Sequence, residues 1–137
     1  FKKRKNSKAL ISLTANKEQL TKYTKYIPKE AENKAPTTII YNKINGLANN
    51  LLAKDGSGAI RIVQDKFCKE LILQFGKPIV STSANISGEK NPSKFSEITN
   101  DIINNVDYIV NLRKQEIMSH PSRILKLTVY GNIQKIR

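Results

Sequence analysis

Tryptophan is absent from this chain of 137 residues, and cysteine, histidine and methionine each occur once. A lone Cys68 excludes an internal disulfide framework and fits a reducing, cytoplasmic compartment. The lone His120, with no cluster of Cys, His and carboxylates at metal-ligand spacing, argues against zinc chemistry. It also leaves a single imidazole for any Ser-His-Asp triad. Long apolar runs are missing: stretches such as Ile60 to Val63, broken by Arg61, are strand-sized, so no membrane span is expected. The basic start is not followed by an apolar stretch, so no signal peptide is visible. Acidic residues are scarce as well, 11 against 24 Lys and Arg, which leaves a net charge of +13.

What remains suits one α/β domain, residues 1–137. Hydrophobic residues make up 39% of the chain, too many for a disordered segment. The length supports one real core and not two. The excess of cations favours polyanionic partners, nucleotides or RNA. An Asn- and Lys-rich sequence that keeps these residues on solvated faces accounts for the same charge equally well. The charge is clustered, however: "KKRKNSK", residues 2–8, holds five cations and no anion. Lys2 and Arg4 are two apart, so on an extended segment they share a face, either as a phosphate clamp or as part of a solvated run.

Short runs rich in Ile, Val, Leu or Tyr predict strands over 9–13, 37–41, 59–63, 78–81, 108–111, 124–128 and 132–136. Between them lie helical signals. Asn16 with Gln19 three residues on has a capping-box pattern opening a helix over 15–27. Phe67, Leu71 and Phe75 share one face of a helix that Gly76 stops, and Phe67 and Cys68 are expected in the core. Phe95, Ile98, Ile102 and Val106 form one stripe along 93–106. The stretch "INGLANNLLA" reads as either a short helix or a turn. Strands alternating with helices predict a twisted, mixed open sheet with helices.

Two places carry candidate chemistry. In "KPIVSTSANISGEKNPSK", residues 77–94, the apolar run Pro78-Ile79-Val80 stops in Ser81, Thr82, Ser83, Ala84 and Asn85, with Ser87 and Gly88 following. Hydroxyls, amides and backbone N–H groups at a strand end suit phosphate and ribose. A polar surface turn has the same composition. The second place is Arg61 in "GAIRIV". Strand alternation puts it on a face with Ala59 and Val63, where a guanidinium needs an anion, unless that face is wet.

These segments together resemble the YrdC-like domain family, the threonylcarbamoyl-AMP synthases. Lys2-Lys3-Arg4 is similar to the family's Lys-x-Arg, and Ser83-Ala84-Asn85 within "TSAN" to its Ser-x-Asn. "APTTII", with Pro36 and Thr38, resembles its Pro-Gly-Pro-x-Thr strand. "GAIRIV" resembles its Val-Arg-Val strand, "HPSRILKL" its Pro-Ser-Thr segment, and the terminal "IQKIR" its last strand ending in Arg.

The resemblance implies a cytoplasmic nucleotidyltransferase (L-threonylcarbamoyladenylate synthase) that forms threonylcarbamoyl-AMP from L-threonine, bicarbonate and ATP with Mg²⁺. Other proteins of the pathway then transfer the group to tRNA. It implies that Lys2, Arg4, Ser83, Asn85, Asn91 and Arg137 bind ATP. Arg61, Ser81 and Ser122 would bind the threonine or bicarbonate end. A tRNA or double-stranded RNA partner is implied too, and no general base is evident. The other reading is a non-catalytic RNA- or nucleotide-binding relative.

The sequence departs from the family pattern at Lys5, at Lys34-Ala35 and at Arg123, where the family has Pro, Pro-Gly and Thr. The family's Pro-Thr-x-Thr-x-Tyr-Gly-Leu segment before Lys-x-Arg is not in this chain. The expectation is therefore a YrdC-like domain without its N-terminal part, inactive alone but still binding polyanions.

Overall fold

The computed structural model describes residues 10–118 and 120–137. Among them, six strands form one sheet in the order β4-β1-β3-β2-β5-β6. Their ranges are β1 Ile11–Thr14, β2 Thr37–Tyr41, β3 Gly58–Ile62, β4 Ile79–Ser81, β5 Arg123–Leu127 and β6 Ile133–Lys135. β1 and β3 are parallel, as are β2 and β5; the other three pairings are antiparallel. This is the mixed open α/β sheet that the alternation of strand and helix signals predicts.

Period-two alternation divides the sheet into two faces. Ile39, Tyr41, Ile60, Ile62, Leu125 and Leu127 bury one face against Leu20, Ala31 and Ile44 from the connecting segments. Burying each large side chain of this kind stabilises the fold by about 1.5–3 kcal/mol. The other face carries a smaller cluster, Leu13, Val63 and Ala15, packed against Ile72 of helix α2 (Lys66–Phe75). Asp65 caps α2, its side chain accepting from the Cys68 N–H at 2.8 Å. Gly76, at φ 75°, ends it as expected by donating to the Ile72 carbonyl at 3.0 Å.

Several elements differ from the sequence expectation. Helix α1 spans only Lys17–Thr21. Asn16 caps it, and the Gln19 side chain reaches back to the Ala15 N–H at 2.8 Å, so the capping signal is real although the helix is one turn. Residues 93–106 do not form one helix. Thr99 is extended (φ −67°, ψ 150°) and splits them into a 3₁₀ turn, Phe95–Glu97, and α3, Asn100–Ile103. "INGLANNLLA" holds only a 3₁₀ turn, Asn49–Leu51. Residues 108–111 pair with no described strand, and Tyr108 is exposed. Phe67 is not in the core: Phe67, Leu71 and Phe75 all point outward, while Ile72 is buried and Cys68 packs beside it.

By chain contacts the molecule has two compact units. Residues 9–81 with Ser122–Arg137 contain the whole sheet; Thr82–Pro121 belongs to the other unit, which contains α3. No helix among the described residues is long and apolar enough to cross a membrane.

Candidate functional site

Arg61 is the residue that the strand pattern makes most conspicuous. Its register partner in β1 is Leu13, and alternation places it on the α2 side of the sheet, opposite to Ile60 and Ile62. It is half-buried, and burial lowers its guanidinium below the ordinary value, with the Cys68 sulfur the opposing influence. Among the described residues, the ion pairs are Lys17–Glu32, Lys66–Glu70 and Arg113–Glu116, none of which involves Arg61. A desolvated guanidinium without a carboxylate is unfavourable on its own, and an anionic ligand would offset that.

The neighbouring strand adds two hydroxyls. Ile39 of β2 faces Ile60 of β3, so one step along the same register sets Thr38 beside Arg61. Thr38 is 0% exposed, and its Oγ1 lies 3.0 Å from the Ser122 Oγ, which is also buried. Residue 122 immediately precedes β5, which runs parallel to β2 with Thr37 opposite Arg123, and that register brings the two hydroxyls together. Ser122 is fixed from behind: the Arg137 Nε and Nη2 donate to its carbonyl at 3.3 and 3.1 Å. Arg123 donates from Nη2 to the Thr37 Oγ1 at 3.1 Å, so this departure from the family pattern has a structural partner. Ser81 closes β4, with Ile11 as its partner across β1. Alternation places Ser81 on the Arg61 side of the sheet as well.

Thus Arg61, Ser81, Ser122 and Arg137 lie in the sheet unit, where Arg61, Ser122 and Thr38 occupy adjoining strands. Sequence reasoning noted Thr38 as retained but gave it no role. The contact that reveals it spans 84 residues and leaves no local signal.

The loop after β4 belongs to the other unit. There Asn85 is buried; its amide nitrogen donates to the Glu89 carbonyl at 2.7 Å, while its side-chain oxygen has no hydrogen-bond partner among the described residues. A buried acceptor left open is costly, on the order of 1–3 kcal/mol. It is an available contact for a donor such as a ribose hydroxyl. Ser83 and Asn91 are exposed in the same loop. Lys2 and Arg4 lie outside the described residues. Among the described residues no group of three His, Cys, Asp or Glu side chains is placed to hold a metal ion.

The family model described as "Telomere recombination", covering Sua5, YciO and YrdC, matches residues 1–137. A putative threonylcarbamoyl-AMP synthase from Methanocaldococcus jannaschii is 34% identical over 133 residues, covering 93% of this chain and 61% of its own length. A threonylcarbamoyl-AMP synthase from Serratia proteamaculans is 32% identical over 98 residues, covering 66% of this chain and 52% of its own length. The chain therefore spans about half to three fifths of these relatives. A doubly substituted Sua5 from P. abyssi superposes with a TM-score of 0.82 at 25% identity, covering 99% of this chain and 43% of that one. Matched along its whole length by the family model and along nearly all of it by a curated relative, the chain belongs to the Sua5/YciO/YrdC family.

Proposed function

We propose that the chain carries substrate-binding elements of a threonylcarbamoyl-AMP synthase. Its curated relatives bear that name. The observation that supports it most is the half-buried Arg61, without a carboxylate among the described residues, beside the Thr38–Ser122 hydroxyl pair. A guanidinium and hydroxyls on one sheet face are donors, and L-threonine with bicarbonate brings carboxylate and carbamate oxygens to accept from them.

In this reading the threonine amine adds to the carbon of bicarbonate and water leaves, giving a carbamate. A carbamate oxygen then bonds to the α-phosphorus of ATP, and the bond to pyrophosphate breaks, with the electron pair leaving on pyrophosphate. Arg61, Ser81 and Ser122 hold the threonine and carbamate end. Ser83, Asn85, Asn91 and Arg137, with Lys2 and Arg4, hold the nucleotide. Mg²⁺ enters with the ATP phosphates as part of the substrate. Because two anions must meet, the protein's share is orientation and neutralisation of charge. Transfer of the product to tRNA falls to other proteins.

Pyrophosphate release by the protein containing this chain tests the reading. Release should require threonine, bicarbonate and ATP together, and Arg61→Met should abolish threonine-dependent release while a thermal melt shows the fold intact. Threonine-dependent release that survives Arg61→Met unchanged would remove Arg61 from the site.

A further inference from the structure

At the opposite end of β2 and β5 lies a groove of about 470 Å³ that the synthase reading does not use. Its walls are the loop after α1, the segment after β2 and the β5–β6 turn. Lys25, Tyr26, Asn42, Lys43, Asn45 and Thr128 line it, over a floor that includes Leu127. The volume is within the range of about 300–1,000 Å³ typical of small-ligand pockets, enough for one nucleotide unit.

The walls are tied together. The Asn45 N–H donates to the Tyr23 carbonyl at 2.9 Å, which joins the segment after β2 to the loop after α1. The β5–β6 turn is closed by the Thr128 N–H to the Asn132 carbonyl at 2.8 Å and by the Gly131 N–H to the Thr128 carbonyl at 3.0 Å. Backbone bonds thus hold the walls, helped by the Thr128 hydroxyl, which accepts from the Asn132 N–H at 3.1 Å, while the exposed side chains of Lys25, Tyr26 and Lys43 take no part in these bonds.

The chemistry of the lining is specific. Two lysines face the groove and no carboxylate does, so the local field is positive. Tyr26 is 53% exposed, and Tyr130, on the turn that closes one wall, is 88% exposed. One exposed ring, Tyr26, lining the same groove as two lysines matches a stacking platform with an electrostatic track, which is how unpaired strands are bound. Asn42, Asn45 and Thr128 supply amide and hydroxyl groups that can meet a base edge or a ribose 2′-hydroxyl. A duplex keeps its base faces stacked on one another and could not use the Tyr26 ring.

We infer that this groove is a docking site for a single-stranded segment of RNA, one nucleotide in the groove with its base against Tyr26 and flanking phosphates on Lys25 and Lys43. The inference stands on the groove alone and is independent of the threonylcarbamoyl reading. Thr38 is four residues from Asn42 along one strand direction, about 13 Å at about 3.3 Å per residue. The two sites are therefore separate, and a strand docked here leaves the Arg61 face free.

The test uses the whole chain, a fluorescent unpaired oligoribonucleotide, and variants Lys25→Gln/Lys43→Gln and Tyr26→Ala. All three positions are exposed, so circular dichroism should show wild-type melts. The lysine pair should lower the steepness of log K against log salt by about 1.4, two phosphates at about 0.7 each for single strands. Tyr26→Ala should weaken binding by about ten-fold at fixed salt. Saturating ATP and threonine should leave RNA affinity unchanged. Wild-type affinity in both variants would overturn the inference. So would a loss of duplex-RNA or DNA-strand affinity in Tyr26→Ala as large as the loss for the unpaired oligoribonucleotide.

Discussion

The Thr38–Ser122 pair can be separated from every ligand question by measuring stability alone. Its two oxygens are 3.0 Å apart, Thr38 is 0% exposed and Ser122 is 8% exposed. Thr38→Val keeps the side-chain shape and leaves the Ser122 hydroxyl without this partner. Ser122→Ala leaves the Thr38 hydroxyl without it. A buried polar group deprived of its bond costs about 1–3 kcal/mol, and the deeper Thr38 oxygen belongs toward the upper end of that range. Removing both polar groups leaves no orphan, so the double variant should be less destabilised than the sum of the singles by about 1–2 kcal/mol. The bonds that the Arg137 guanidinium donates to the Ser122 carbonyl persist in all three variants, so β5 should keep its place. Urea unfolding of the four proteins gives the cycle directly, with equal m-values confirming the same transition. Additive single effects would show that the hydroxyls do not meet, and the β2–β5 register argument that brings Thr38 to Ser122 would fail with them.

Arg61→Met should raise the thermal midpoint of the ligand-free chain, because it replaces a desolvated cation that has no carboxylate among the described residues; a lowered midpoint would mean that Arg61 has a structural partner. Ser83→Ala with Asn85→Ala should weaken ATP binding in calorimetric titration without unfolding the protein, and equal affinities would take this loop out of the nucleotide site. Asp65→Ala should destabilise the chain by about 1 kcal/mol in a urea melt, since it removes the cap that accepts from the Cys68 N–H at 2.8 Å; an unchanged midpoint would show that α2 is held by packing alone.

Local signals with a single physical meaning were legible in the sequence. Thr37–Tyr41 is a strand with the predicted bounds because its β-branched and aromatic run has no competing pattern. Gly76 stops α2 because only a residue tolerant of positive φ fits there. Arg61 stood out because alternation places a cation on a face shared with apolar residues. Helix α2 shows where periodicity runs out: Phe67, Leu71 and Phe75 form one stripe, Cys68 and Ile72 another, and only the sheet decides which is buried. Residues 93–106 have an apolar stripe at helical spacing, but Ser96, Thr99, Asn104 and Asn105 compete for backbone hydrogen bonds. Asn105 makes such a bond, to the Asp101 carbonyl at 2.8 Å. Contacts such as Thr38–Ser122 and the groove formed by Lys25, Lys43 and Thr128 join distant segments, and no local pattern encodes them.

The central claim is that the Arg61 face of the sheet receives the threonine end of the substrate. Calorimetric titration of L-threonine into the protein containing this chain, compared with its Arg61→Met variant, tests it most directly. The account predicts saturable binding that the substitution removes while the fold stays intact. Binding of equal strength in both proteins would contradict it.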